Sequence, residues 1–178
     1  MAIIKSEDGN PWDFADKYIY QSHVIEFGVL HNFAKEGPLY GKLIIDGSIV
    51  SNAKCNGFGG PVLFKDELLY VPLYQYATSK FDIVGAYIAE VNLITKSVRI
   101  IGTKYPMVYI DHMEDSLIYF YVYWCKQKDR LESIDIHTKL HIFTSDDFNK
   151  MRRKYELNQK KESFFGKLLY RIIDKFGI

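Results

Sequence analysis

From Leu117 to Trp124 the chain runs without a charge, and alternate positions separate into two sets. Leu117, Tyr119, Tyr121 and Tyr123 form one set, and Ile118, Phe120, Val122 and Trp124 the other. Successive side chains of a strand point to opposite faces, so this period predicts a strand with a tyrosine-rich face and an aliphatic-rich face. Leu68 to Tyr76 has the same form: Leu68, Tyr70, Pro72, Tyr74 and Tyr76 oppose Leu69, Val71 and Leu73. The aliphatic face is the candidate core in both. Pro72 has no amide hydrogen to give to a ladder, so its strand is an edge there or carries a bulge. The tyrosine face has two readings. It lies under C-terminal helices, or it is an exposed recognition surface of large rigid rings with polar tips.

These two stretches belong to a longer repeat. Pro61–Asp66 is echoed by Pro106–Asp111, Leu68–Tyr74 by Leu117–Tyr123, Val91–Lys96 by Ile134–Lys139, and Val98–Ile101 by Leu140–Phe143. Each unit reads as four short strands joined by turns. Residues 61–144 thereby resemble, in period and strand count, blades of a β-propeller. There is no Trp-Asp signature, and two units do not close a propeller. The expected fold is a mainly β, β-rich α+β domain over residues 1–178: an antiparallel meander of two duplicated four-strand units, an N-terminal hairpin and C-terminal helices.

Outside the repeat the punctuation is local. Asn10 followed by Pro11, with Asp13 and Asp16 behind, predicts a short helix over about 11–18. A strand is expected near 23–30. Asp46-Gly47 between Lys42–Ile45 and Ser48–Val50 is the sharpest hairpin signal, because Asp-Gly accommodates positive φ between β-branched flanks. Asn56–Pro61 has three glycines and reads as a loop; a strand, not a helix, follows it, which argues against a phosphate cradle. Ser145-Asp146-Asp147 opens a helix with Phe148, Met151 and Tyr155 at helical spacing. A second helix starts at Ser163. Its stripe of Phe164, Phe165, Leu168, Leu169, Ile172, Ile173 and Phe176 opposes Lys167, Arg171 and Lys175. Docking of that stripe on the sheet is expected.

Composition changes the picture in three ways. The 14 Tyr and 12 Phe favour strands and binding surfaces. Cys55 and Cys125 are too few for a disulfide framework and lack a CxxC pattern, so both read as reduced thiols. No stretch has the apolar length of a secretory leader or a membrane-spanning helix, and a cytoplasmic protein is expected. The net charge of +1 also hides an asymmetry. Residues 150–178 hold nine Lys/Arg and three acids, net +6, while the remainder holds 14 basic and 19 acidic residues, net −5. That division points to charged partners.

Candidate chemistry is sparse. The histidines are His23, His31, His112, His137 and His141. His137 and His141 have zincin spacing, but they straddle a turn and no HExxH or Cys cluster completes a metal site. Ser51, Ser116 and Ser133 lack a nucleophile elbow. Glu114-Asp115 reads as a polar turn and Asp146-Asp147 as a helix start. No catalytic residue, cofactor or metal is expected, and direct nucleic-acid binding is disfavoured by the acidic body.

What remains is an acidic-aromatic surface near the turns of the second unit: Asp111, Glu114, Asp115, Tyr121, Tyr123, Trp124, Asp129 and Glu132. Such a surface suits a basic protein partner. In general character the chain is similar to bacterial toxin-immunity proteins. That resemblance implies a non-catalytic module that binds and blocks a toxin, for example a nuclease. Two alternatives stay open: a small-ligand or carbohydrate-binding β domain using the tyrosine face, and a peripheral membrane protein using Phe164–Phe176.

Overall fold

The computed structural model describes residues 3–7, 10–32, 37–50, 56–76, 83–122, 130–138 and 140–143, together with 146, 149–150, 153, 156–157, 159–161 and 163–166. The fold is mainly β, with 58% of the described residues in strands and 11% helical. In chain order the strands are β1 (Ile3–Lys5), β2 (Lys17–Tyr20), β3 (His23–Phe27), β4 (His31–Asn32), β5 (Leu39–Gly41), β6 (Leu43–Ile45), β7 (Ser48–Ile49) and β8 (Asn56–Gly59). Then come β9 (Leu63–Lys65), β10 (Leu68–Tyr76), β11 (Ile83–Asn92), β12 (Val98–Tyr105), β13 (Tyr109–Glu114), β14 (Leu117–Tyr121), β15 (Leu131–Asp135) and β16 (Leu140–Phe143). A short helical segment follows.

The strands form three antiparallel sheets. The largest runs β16-β12-β11-β10-β8-β5-β4, with β9 also on β10. A second is β1-β13-β14-β15 and a third β2-β3-β6-β7. The large sheet lies between the other two, because each of its faces belongs to a different core. Tyr70, Tyr74, Ala86, Ile88 and Ile101 pack with Ile110, Met113, Ile118 and Phe120 of β13 and β14. Leu69, Val71, Leu73, Ala89, Val91 and Ile100 pack with Ile25, Phe27, Leu43 and Ile45 of β3 and β6. A strand buried on both faces reads as a near-continuous apolar run, which is why Leu69 to Tyr74 is buried at every position.

The tyrosine face of β10 is therefore covered, by a sheet and not by helices. Burial pushes the phenols of Tyr70 and Tyr74 well above their usual range, and Tyr74 Oη donates to the Val108 carbonyl at 3.4 Å. On the flank of β10 away from β11, β9 pairs up to Tyr70 and β8 begins at Leu73. Pro72 sits in the gap between them, the local edge that its missing donor calls for.

The repeat is visible in the strands. The first unit, β9 to β12, is a consecutive meander. The second unit repeats it through β13, β14 and β15, but β16 leaves its own unit and pairs with β12. The hairpin pivots correspond at Asp66 and Asp115, with φ of 53° and 51°, so Asp66 matches Asp115 and not Asp111. The later turns correspond as well. Asn92 Oδ1 accepts the Ile94 amide at 3.0 Å, and Asp135 Oδ1 accepts the His137 amide at 2.8 Å.

Two local expectations are corrected. No helix forms over 11–18: Asn10 Oδ1 accepts the Trp12 amide in a turn, and β2 begins at Lys17. Pairing of Lys17–Tyr20 with His23–Glu26, and burial of Phe14 against Phe27, outweigh the weak local helix signal. Asn56–Gly59 is also a strand, buried throughout between β5 and β10. Its glycines serve close packing. A Cβ on Gly59 would stand 2.5 Å from the Leu39 carbonyl oxygen and 2.6 Å from Tyr74 Cε2. The Asp46-Gly47 hairpin forms as expected, with φ of 50° and 76° joining β6 and β7.

Gly59→Ala is expected to cost about 1–3 kcal/mol by overpacking. Ile19→Ala, at a well-exposed position of β2, should stay within about 0.5 kcal/mol. Urea unfolding of both variants checks this. Equal stabilities would remove β8 from the packed layer.

Candidate binding surface

The outer sheet β1-β13-β14-β15 uses its inner face for the core, through Ile4, Met113, Ile118 and Ile134. Its outer face follows from the register. Ile3, Glu114, Leu117 and Asp135 form one cross-strand row, and Lys5, His112, Tyr119 and Ser133 the next. None of these eight is fully buried.

At the centre His112 lies flat on Tyr119, its partner across the ladder, with ring centroids 4.5 Å apart and planes 8° from parallel. The register of β13 shifts between Ile110 and His112. That bulge gives Asp111 an extra place in the strand and brings its Oδ2 to 2.8 Å from His112 Nδ1. On the other side of the ring, His112 Nε2 faces Glu114 Oε1 at 3.7 Å. The β13–β14 turn adds Asp115, whose backbone carbonyl accepts from Lys65 Nζ at 2.7 Å, leaving the exposed carboxylate at the rim. Asp135 is tied into its turn by Ser116 Oγ at 3.3 Å and by the His137 amide. Four carboxylates, an aromatic pair, the exposed Ile3 and the partly buried Leu117 thus share one face with Lys5.

The structure unites part of the expected surface. Asp111 and Glu114 flank His112 on its stack with Tyr119, and Asp115 follows in the adjoining turn. Tyr121 does not join them: it is buried and packs edge-on against Tyr109, at 5.8 Å between centroids. Glu132 is exposed but pairs with Phe120 and shares its side of β15 with core-facing Ile134. Tyr123, Trp124, Asp129, Cys55, Cys125, Ser145, Asp147, Phe148, Met151 and Tyr155 lie outside the described residues, as do 167–178. Ile3 and Lys5 carry no local signal of this site, because β1 is seated by its pairing with β13. The sequence pattern leaves His112 and Tyr119 separate, since their stacking depends on register.

A second polar group joins two turns on another part of the molecule. Asp46 Oδ2 accepts from Lys96 Nζ at 2.7 Å and lies 2.8 Å from His23 Nδ1, while Asp46 Oδ1 accepts the Val24 amide at 2.9 Å. Lys96 also donates to the Leu93 carbonyl. The Lys96 ammonium first, then His23 and the Val24 amide, hold the Asp46 carboxyl well below the usual carboxylate range. The group ties the Asp46 turn to the start of β3 and to Lys96 after β11, so it reads as a structural clamp.

Among the described residues no three His, Cys, Asp or Glu side chains are grouped to hold a metal ion. None of the described helical residues belongs to a helix long and apolar enough to cross a membrane. Comparison with protein-family models, with curated proteins and with solved structures returned no match.

A carboxyl whose folded-state pKa is depressed stabilises the fold above its unfolded value, here 3.8, and loses that contribution as pH falls below it. Asp46→Asn should therefore lower stability near pH 6, and the gap to wild type should narrow progressively as pH falls below about 4. Denaturation midpoints across that range provide the check. Parallel curves would show that Asp46 is not the clamp.

Proposed function

We propose that the protein is a non-catalytic protein-binding module of the immunity or antitoxin kind, which blocks a bacterial toxin through the outer face of β1-β13-β14-β15. The observation that carries this reading is the cross-strand His112–Tyr119 stack flanked by Asp111 and Glu114 on an open sheet face. A rigid ring pair supplies contact area at low entropic cost. The surrounding carboxylates steer toward a basic surface, such as the nucleic-acid cleft of a nuclease, and occupy the positive charge that its substrate needs. The carbohydrate alternative loses its main support, because Tyr70, Tyr74 and Tyr121 are buried.

The test begins with affinity capture from native cell extract at low salt, followed by purification of the captured partner. The expected partner is a toxin whose lethality is relieved by the wild-type chain. Combined Asp111→Asn, Glu114→Gln and Tyr119→Ala should weaken binding at least 100-fold, with most of the charge effect in the association rate and lost at high salt. The reading fails if no protein is retained while a sugar or other small molecule raises the melting temperature. It fails equally if the triple variant binds and protects like wild type.

A further inference from the structure

The helical segment after β16 exposes large apolar side chains beside basic ones. Leu157, Phe164 and Phe165 are 59%, 66% and 65% exposed. At 3.6 residues per turn Leu157 and Phe164, seven apart, fall on one line along the helix. Lys150 lies on the same line, and Arg153, Lys160 and Lys161 fall within about 60° of it. All four cations are exposed. Glu156 and Gln159, on the opposite half of the helix, are partly buried. The two phenylalanines meet edge-on, at 6.2 Å between ring centroids. Phe164 and Phe165, two members of the expected docking stripe, are thus exposed and not covered by the sheets.

From this geometry we infer that the C-terminal helical segment binds the surface of an anionic lipid bilayer. Large apolar side chains bordered by long cationic ones are the makings of an interfacial helix: the rings enter the headgroup boundary while Lys and Arg stems reach back to the anionic plane. The charge matches in the same sense, because residues 150–178 carry net +6 while the rest of the chain carries net −5. Clustered basic residues draw such a segment to anionic headgroups and hold the acidic body off the membrane. The cations are spread along two to three helical turns, which suits a laterally continuous anionic plane better than a compact acidic pocket. This site uses none of the residues of the Asp111–Glu114 face, so the two proposals stand or fall independently.

Full-length protein is sedimented with vesicles of equal phosphatidylglycerol and phosphatidylcholine, and with phosphatidylcholine alone, at about 0.1 M salt, where screening is moderate. Wild type is expected to bind the anionic vesicles at least ten-fold more tightly than the neutral ones. Lys160→Glu with Lys161→Glu, and separately Phe164→Ser with Phe165→Ser, should each weaken anionic binding about ten-fold or more. All four positions are exposed, so both variants should retain the wild-type melting temperature within a few degrees. Failure of wild type to bind anionic vesicles, equal binding to both vesicle types, or undiminished binding by both double variants would overturn the inference.

Discussion

Everything in this structure follows from a sheet that has to be hidden on both sides. β10 has an aliphatic face of Leu69, Val71 and Leu73 and an aromatic face of Tyr70 and Tyr74, and none of these residues meets solvent. A fully buried side chain of this size contributes roughly 1.5–3 kcal/mol by its removal from water. Two covers are therefore required, and the chain supplies them from its two ends: β2, β3, β6 and β7 on one side, β13 to β15 with β1 on the other. Among the described residues the buried polar side chains are Asn56 and Glu90. Glu90 is buried between Tyr70 and Arg99, and the Arg99 guanidinium donates to its carboxylate at 2.6 Å. A buried carboxylate persists only with such a partner.

Close packing of the central layer also explains the glycines of β8. Tyr40 and Tyr74 occupy the space that side chains at Gly57 and Gly59 would need. A segment with the composition of a loop becomes a strand because its neighbours' rings fill the volume its own side chains leave.

The covers, by contrast, have one face to spare. On β1-β13-β14-β15 that face carries carboxylates around a stacked histidine and tyrosine, supported from behind by Met113, Ile118 and Phe120. A surface built on a packed sheet is rigid, which favours recognition by complementary shape and charge. On the readings proposed above, the charge asymmetry between the body and residues 150–178 would serve two kinds of partner, a cationic protein and an anionic surface.

Period-2 alternation at Leu68–Tyr76 and Leu117–Trp124, the Asp46-Gly47 turn and the spacing of the two units were legible in the residues, because strand direction and tight-turn conformation are local properties. The β-rich fold and the acidic character of Asp111, Glu114 and Asp115 were legible for the same reason. The helix expected after Asn10 and the loop expected at Asn56–Pro61 were not correct, because strand pairing and burial outweighed weak local signals. Tertiary structure alone decided that a sheet covers the β10 tyrosines, that β16 crosses to β12, that Tyr121 is buried, and that β1 brings Lys5 beside the His112–Tyr119 stack. Those outcomes depend on which distant strands become neighbours, and that choice is made by the competition of whole faces for burial.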